Sequence, residues 1–455
     1  MSDGIANLIM SPFVLMLSVV FSGMLLGKIQ FKKLSFGVSG TLFAGLIIGW
    51  GILKYANSVT ETSGHYKSAQ SLIGAGVIDK NLFTLFLILF IASVGLLASK
   101  DIGPVIKKYG IKFVTLGFLI TFLGALTTYG MTLFSDKANP YEVSGVYTGA
   151  LTSSPGLAAA LETARDHSTQ WASKYSTLST YEKSRFQMFL NNGEELGTAE
   201  FTNKDNSKFV KNAEAGIGVG HAIGYPFGVL IVILAVNLFP KLFRIDTEEE
   251  KKIFLREMSE AKSASGDKLV EETKFSLIGF SLACLLGYLL GSIKINLTLL
   301  GLGYFSLGAT GGTLIASLLL GHIGKIGLIN FRMDSQVLGV LRQIALAFFL
   351  AIVGLRYGYE FVDALAGASA YLALISLVVG VVSMLLGFII GRYVFKINWL
   401  MLAGSICGGM TSTPGLGASI DAVGSDAPAL GYGATYPFAL LGMVIFTIIL
   451  HKLPI

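Results

Sequence analysis

Charge is scarce in this sequence. Of 455 residues only 14% are Asp, Glu, Lys or Arg, against about 25% in a soluble domain. A deficit of that size along the whole length excludes a soluble protein, because 53% of the residues are hydrophobic and the mean hydropathy is +0.68. Cysteine is nearly absent. Cys284 and Cys407 each sit inside an apolar stretch, so they offer neither a disulfide framework nor metal-ligand spacing. HExxH, Walker A and clustered Cys/His motifs are missing, which leaves zinc chemistry and ATP-driven transport without residues to carry them; no metal or cofactor is expected. No single basic stripe exists either. The formal charge of +6 is scattered between apolar segments, which gives no nucleic-acid signal and reads instead as a record of membrane topology. The first thirty residues have no basic leader and no small-residue cleavage site, so 7–27 is expected to remain as a membrane helix.

Apolar runs and 55 glycines are plentiful, a composition suited to closely packed membrane helices. A span needs about 20 mostly apolar residues. Segments 7–27, 34–53, 81–99, 113–134 and 216–240 meet that in the first half, and 275–292, 305–321, 338–357, 367–391 and 427–450 in the second. Two further apolar pieces, 142–162 and 398–420, are interrupted at their centres by Ser, Thr, Pro and Gly. The charge-dense stretch 241–274 reads as a short linker, amphipathic or partly disordered, between a first membrane repeat (1–240) and a second (275–455). Within the first, 163–213 is polar, lacks apolar periodicity and reads as an inserted surface excursion.

The two halves repeat. Thr152-Ser153-Ser154-Pro155-Gly156-Leu157 matches Thr411-Ser412-Thr413-Pro414-Gly415-Leu416, and the match continues to Ala159 with Ala418 and Glu162 with Asp421. Val94-Gly95-Leu96 matches Val353-Gly354-Leu355, Tyr225-Pro226-Phe227 matches Tyr436-Pro437-Phe438, and Gly40-Thr41-Leu42 matches Gly312-Thr313-Leu314. Lys and Arg placement sets orientation. With the N-terminus outside, the loops holding Lys28, Lys32, Lys33, Lys100, Lys107, Lys108 and Lys112 fall inside, together with the linker and with Lys325, Arg332, Arg392 and Lys396. This requires an odd number of crossings in the first half, which makes 142–162 and 398–420 re-entrant hairpins and the halves inverted repeats. Both termini are then periplasmic and the linker cytoplasmic. The basic residues Arg165, Lys174, Lys183 and Arg185 of the insertion conflict with its outside placement.

The paired breaks are the best candidate site. Pro removes a helix donor and Gly weakens the helix, and broken backbone at membrane depth survives where it is buried in protein or lines a watery cavity. The following half-helix presents its positive end to an anion. Substrate contacts are therefore expected from Thr152, Ser153, Ser154, Pro155 and Gly156 with Thr411, Ser412, Thr413, Pro414 and Gly415, including free N–H groups near the two glycines. The bland alternative is a pair of kinked helices whose hydroxyls bond back to the preceding turn. Glu162 and Asp421 are candidate ion, proton or coupling groups, or simply helix-ending residues. Arg356 is a candidate counter-ion or a snorkelling interfacial arginine; Arg342 reads as a topology charge and His221 as structural. Gly37-Val38-Ser39-Gly40 and His221-Ala222-Ile223-Gly224 resemble rhomboid-protease motifs, but a protease would not explain two breaks, and no catalytic residues are assigned.

The paired Thr-Ser-Ser/Thr-Pro-Gly-Leu and Tyr-Pro-Phe motifs, with Phe243-Arg244-Ile245-Asp246 before an acidic run, resemble the aspartate–alanine exchanger family of bacterial secondary carriers. The resemblance implies an all-α membrane protein of the elevator type in the inner membrane. It further implies a homodimer and exchange of small carboxylates such as aspartate, alanine or a succinate-like dicarboxylate, without ATP. Alternatives are sodium- or proton-coupled carboxylate symport and cation/proton antiport. Many family members carry a pair of soluble regulatory domains between the halves; 241–274 is too short for them.

Overall fold

The computed structural model describes residues 3–31, 34–35, 37–99, 102–133, 139–180, 183–184, 186, 203–265, 271–296, 304–366 and 370–452. Lys32, Lys33, Lys100 and Arg185 of the topology reckoning lie outside the described residues. Elements follow the apolar segments, with informative departures. Segment 7–27 is not one helix: Asp3–Ile9 (α1) and Pro12–Lys28 (α2) meet at a 62° bend. Pro12 explains it, since proline fits the first turn of a helix but cannot continue one. Next come α3 (Gly40–Asn57), α4 (Tyr66–Ala75), α5 (Lys80–Ala98) and α6 (Ile102–Thr132), then α7 (Pro140–Ala150) and α8 (Ser154–Ser173) on either side of the first break. Helices α9 (Asn203–Leu242) and α10 (Thr247–Ser265) end the first half and cross the linker. The second half holds α11 (Leu277–Ser292), α12 (Gly308–Ile323), α13 (Ser335–Ala366), α14 (Ala370–Ile389), α15 (Trp399–Gly409), α16 (Thr413–Val423) and α17 (Ala427–Lys452). Two-residue β-hairpins follow α2, α11 and α12.

Among the described residues seven helices are long and apolar enough to cross a membrane, or eight with the bent pair α1–α2. The protein is a multi-pass membrane protein. Ten full spans were expected; the shortfall lies mainly in α11 and α12, which have 16 residues each and rise about 24 Å, short of the roughly 30 Å hydrocarbon core. Exposed Phe13, Leu17 and Phe21 on α2 and Leu277, Ile278 and Leu285 on α11 present apolar faces for lipid or another membrane helix to cover.

The described ends of the insertion are more regular than their composition suggests. Helix α8 runs on to Ser173 and α9 begins at Asn203, so both ends of 163–213 are helical. A small apolar cluster of their own, with Ala164, Ala172, Phe186, Phe209 and Ala213, holds them together, and the Phe186 and Phe209 rings stack 3.8 Å apart. Few apolar residues, wide apart in sequence, gave no periodic signal. Tyr141 Oη lies 3.1 Å from His167 Nδ1 and Thr163 Oγ1 lies 2.8 Å from His451 Nδ1, which ties α8 to α7 and to the end of α17.

Corresponding helices make corresponding contacts. Helix α7 packs on α9 as α15 packs on α17, α3 packs on α13 as α12 packs on α5, and α2 packs on α3 as α11 packs on α12. Backbone approach at these crossings is close: a Cβ on Gly354 would sit 2.4 Å from the Leu42 carbonyl oxygen and 2.7 Å from the Gly45 Cα, so α3 and α13 cross with no room for a side chain at that point. Two sets of helices emerge, one of α2, α3, α5, α11, α12 and α13, and another that carries both breaks, α6–α9 with α14–α17.

Candidate functional site

Each break is three residues of chain between two helices, and both have the same backbone. Thr152 and Thr411 adopt left-handed φ values of 52° and 49°. Thr152 N–H donates to the Gly149 carbonyl at 2.7 Å and Ser153 N–H to the Thr148 carbonyl at 2.8 Å; Thr411 and Ser412 repeat this on Gly408 at 3.1 Å and Cys407 at 2.7 Å. This is a Schellman helix ending, whose left-handed slot usually holds glycine. A β-branched residue there costs on the order of 1–3 kcal/mol and persists only where its surroundings hold it. The next residue starts the second helix: Ser153 Oγ accepts from Gly156 N–H at 3.0 Å and Ser412 Oγ from Gly415 N–H at 3.2 Å, ordinary serine N-caps.

The surroundings that hold the threonines are each other's breaks. Thr152 Oγ1 donates to the Met410 carbonyl at 3.1 Å, and Thr411 Oγ1 donates to the Leu151 carbonyl at 2.7 Å. The two tips therefore meet, 258 and 260 residues apart in sequence, through a reciprocal pair of hydroxyl–carbonyl bonds. These facts correct the sequence expectation. The N–H groups of Gly156 and Gly415 are not free, because the serine caps hold them. The hydroxyls of Thr152 and Thr411 bind the opposite tip. Proline at 155 and 414 has no N–H, which leaves the first-turn N–H groups of residues 154 and 413 as the donors the breaks can offer outward. The side chains of Ser154 and Pro155 lie outside the described residues. Thr413 is buried, with its hydroxyl 3.3 Å from Tyr432 Oη.

A cavity of about 270 Å³ opens on the joined tips, lined by Thr152, Thr411, Thr413, Tyr225, Tyr436 and Lys80, among others. Both Tyr-Pro-Phe motifs thus reach the same space as both breaks. Tyr225 stacks on Tyr357 at 4.5 Å and Tyr436 on Tyr432 at 5.1 Å, which fixes the rings that face it. Lys80, exposed at the first turn of α5, supplies a cation. Sequence reasoning missed Lys80 as a site residue and read the tyrosines only as a sign of duplication; the recurrence of Tyr-Pro-Phe in both halves was the available signal.

The other candidates scatter. Asp421, two turns beyond the second break on α16, lines a separate cavity of about 480 Å³ with Lys28, Lys241, Asn237, Gln343 and Ser39. Its sequence counterpart Glu162 is half-buried in mid-α8 and lines neither cavity. Arg356 is not aimed at the tips. Its Nη1 donates to the carbonyls of Ala75, at 3.1 Å, and Ile78, so it closes the C-terminus of α4 against α13, where a cation is favoured. Arg342 pairs with Asp426. His221 Nδ1 lies 2.9 Å from Thr148 Oγ1, wholly within protein, as its structural reading requires.

An apolar helical bundle whose two broken helices meet at a cavity edged by threonine and tyrosine hydroxyls is an arrangement suited to a membrane transporter. The family profile described as predicted permease membrane region, that of the aspartate–alanine exchangers, matches residues 14–241 and 279–452; the chain belongs to this family. The unmatched stretch between them is the linker. A Bacteroides thetaiotaomicron protein named an uncharacterized transporter is 24% identical over 97% of this chain and 98% of its own length. A Bacteroides fragilis transporter, likewise uncharacterized, is 24% identical over the same shares. A Geobacter sulfurreducens transporter is 36% identical over 42% of this chain and 35% of its own. Family and relatives are transporters, not enzymes.

Proposed function

We propose that this chain is a secondary carrier that exchanges small carboxylates, aspartate for alanine or one dicarboxylate for another, across a bacterial inner membrane. The observation that carries the proposal is the convergence of both breaks and both Tyr-Pro-Phe tyrosines on one cavity with a lysine at its rim. The N–H and hydroxyl of Thr413 and the Tyr436 hydroxyl supply neutral donors for a carboxylate, and Lys80 supplies the charge. A cavity of that size is at the small end for ligand sites and suits a four-carbon acid. The reciprocal tip contact and the corresponding helix packings support two inverted repeats. The sorting of helices into two sets supports an elevator-type cycle, in which the break-bearing set moves against α2, α3, α5, α11, α12 and α13. The exposed apolar faces of α2 and α11 are the proposed homodimer contact. Both termini are proposed to be periplasmic and α10 cytoplasmic.

Asp421 favours a second reading, ion-coupled symport, because a carboxylate beside a polar cavity can bind a cation. Counterflow in proteoliposomes with a panel of labelled acids separates the two. Uptake driven by internal aspartate, alanine or succinate without an ion gradient is expected. Uptake that needs a sodium or proton gradient and ignores internal acid would replace exchange by symport.

A further inference from the structure

Helices α7 and α15 begin in the same way except at one residue. Asn139 and Asn398 are both N-caps, accepting from Tyr141 N–H at 3.0 Å and Leu400 N–H at 2.9 Å. The first helical residue is Pro140 in α7, which has no N–H to satisfy, but Trp399 in α15, which does. The acceptor comes from the linker. Glu250 Oε2 accepts from Trp399 N–H at 2.7 Å, its Oε1 accepts from Arg392 Nη2 at 2.7 Å, and its main-chain carbonyl accepts from Asn398 Nδ2 at 2.9 Å. The residue is buried, although it sits in an acidic run that reads as surface. Along the same face of α10, Phe254 and Met258 are buried in the main core, and Glu257 pairs with Lys108 at 2.9 Å and accepts from Tyr109 Oη at 2.8 Å. These partners belong to α6, α15 and the turn before it, all in the break-bearing set.

The other end of the linker is held elsewhere. Thr273 N–H donates to the Arg332 carbonyl at 2.9 Å, Asp334 N–H donates to the Thr273 carbonyl at 2.9 Å, and Ser335 Oγ donates to Glu272 at 3.2 Å. Those partners lead into α13, in the opposite set. The linker is therefore divided between Ser265 and Glu271.

We propose that α10 travels with the break-bearing helices as part of their body, and that Glu250 is a positioning residue that holds the entry arm of the second break in the orientation that transport needs. This rests on the proposed exchange cycle. Glu250 touches no substrate; it acts through the N-terminus of α15, whose far end forms the tip. Loss of its carboxylate leaves the Trp399 N–H and the Arg392 guanidinium without their buried acceptor.

The test is exchange of labelled aspartate against internal alanine in proteoliposomes, with amide hydrogen exchange on the same purified variants. Glu250→Ala is expected to lower kcat by about tenfold or more while KM stays within about threefold, because positioning and not contact is lost. Glu250→Gln, which keeps an acceptor for Trp399, should recover most of that rate, and protection of the amides at 399–401 should follow the same order. A Lys108→Cys/Glu257→Cys pair bridged by a reducible bis-maleimide, which spans the gap that the Lys–Glu side chains fill, in a background free of Cys284 and Cys407, should leave exchange within about twofold of the reduced form, since both sides move together. Abolished exchange in the locked protein, restored on reduction, would overturn the shared-body proposal. Wild-type kcat and wild-type amide protection in Glu250→Ala would overturn the role of Glu250. If the wild type exchanges no carboxylate at all, the proposed function fails; the protection order then still supports or overturns the Glu250 anchor.

Discussion

At the first break the chain arrives on α7 through Pro140 and departs on a 20-residue helix; at the second it arrives on α15 through Trp399 and departs on an 11-residue helix closed by Gly424 in a left-handed conformation. Between those ends the two are alike to the hydrogen bond: Schellman ending, left-handed threonine, serine cap, threonine donor to the opposite tip. The backbone of a break is set by three residues and their partner break. What surrounds it is free to differ, so one half braces its arm with an aromatic cluster of the insertion and the other with a glutamate of the linker. Equivalent substitutions should then cost the same inside the breaks and different amounts outside them.

The largest difference is expected at the helix crossings. Gly354 faces Gly45, whereas its counterpart Gly95 faces Ser317, whose Cβ would lie 2.6 Å from an added methyl. Overpacking costs about 1–3 kcal/mol or more. Gly354→Ala, which meets backbone, should remove most folded protein on size-exclusion chromatography. Gly95→Ala should be milder and rescued by Ser317→Gly, which removes that Cβ and leaves the nearest backbone atom, the Leu314 carbonyl oxygen, at 3.2 Å; failure of that rescue would make the two crossings equally intolerant.

Inside the breaks, Thr152→Ala and Thr411→Ala should each lower stability by about 1–3 kcal/mol, because each leaves a buried carbonyl of the other tip without its donor. The two costs should be equal within error and non-additive, as expected for one reciprocal contact. Glycine at either position should recover about 1 kcal/mol by relieving the left-handed strain. Thermal unfolding in detergent measures all three.

The serine caps come next. Ser153→Ala and Ser412→Ala together should lower stability by about 2 kcal/mol, about 1 for each cap, with KM for substrate little changed. A KM raised more than about tenfold at unchanged stability would instead make the serines substrate ligands, worth about 1.4 kcal/mol or more. The smallest effect is expected of Gly424→Ala. It meets no atom within 4 Å and should cost about 1 kcal/mol from backbone strain alone.

Much of this was legible in the sequence. Hydropathy located the long helices, and the six-residue match located both breaks to within about a turn: Pro155 and Pro414 declare themselves locally but sit in the first turn of the following helix, while the chain turns at Thr152 and Thr411. The assignment of donors was not legible. Whether Ser153 faces a ligand or caps its own helix depends on a left-handed turn at Thr152, and nothing in a threonine announces a conformation that glycine usually holds. Glu250 was hidden for a related reason. It stands among Glu248, Glu249, Lys251 and Lys252, where composition predicts solvent, and its burial follows from a missing acceptor 149 residues away. Lys80 stands just before the span expected at 81–99, and its proximity to the tips is a tertiary fact.

The two shortest of the joins between the two sets of helices fix a leash length. Helix α5 hands over to α6 through residues 99–101, and α13 hands over to α14 through 367–369. Four Cα steps separate Ala98 from Ile102 and Ala366 from Ala370, and extended chain covers about 3.6 Å per step, so neither pair of ends can part by more than about 14 Å. Any large stroke must therefore be widest far from these tethers and smallest beside them. Under the proposed elevator cycle the break-bearing set would turn about these two tethers, at equivalent points of the two halves, unless turns of α6 or α14 unwind to lengthen them.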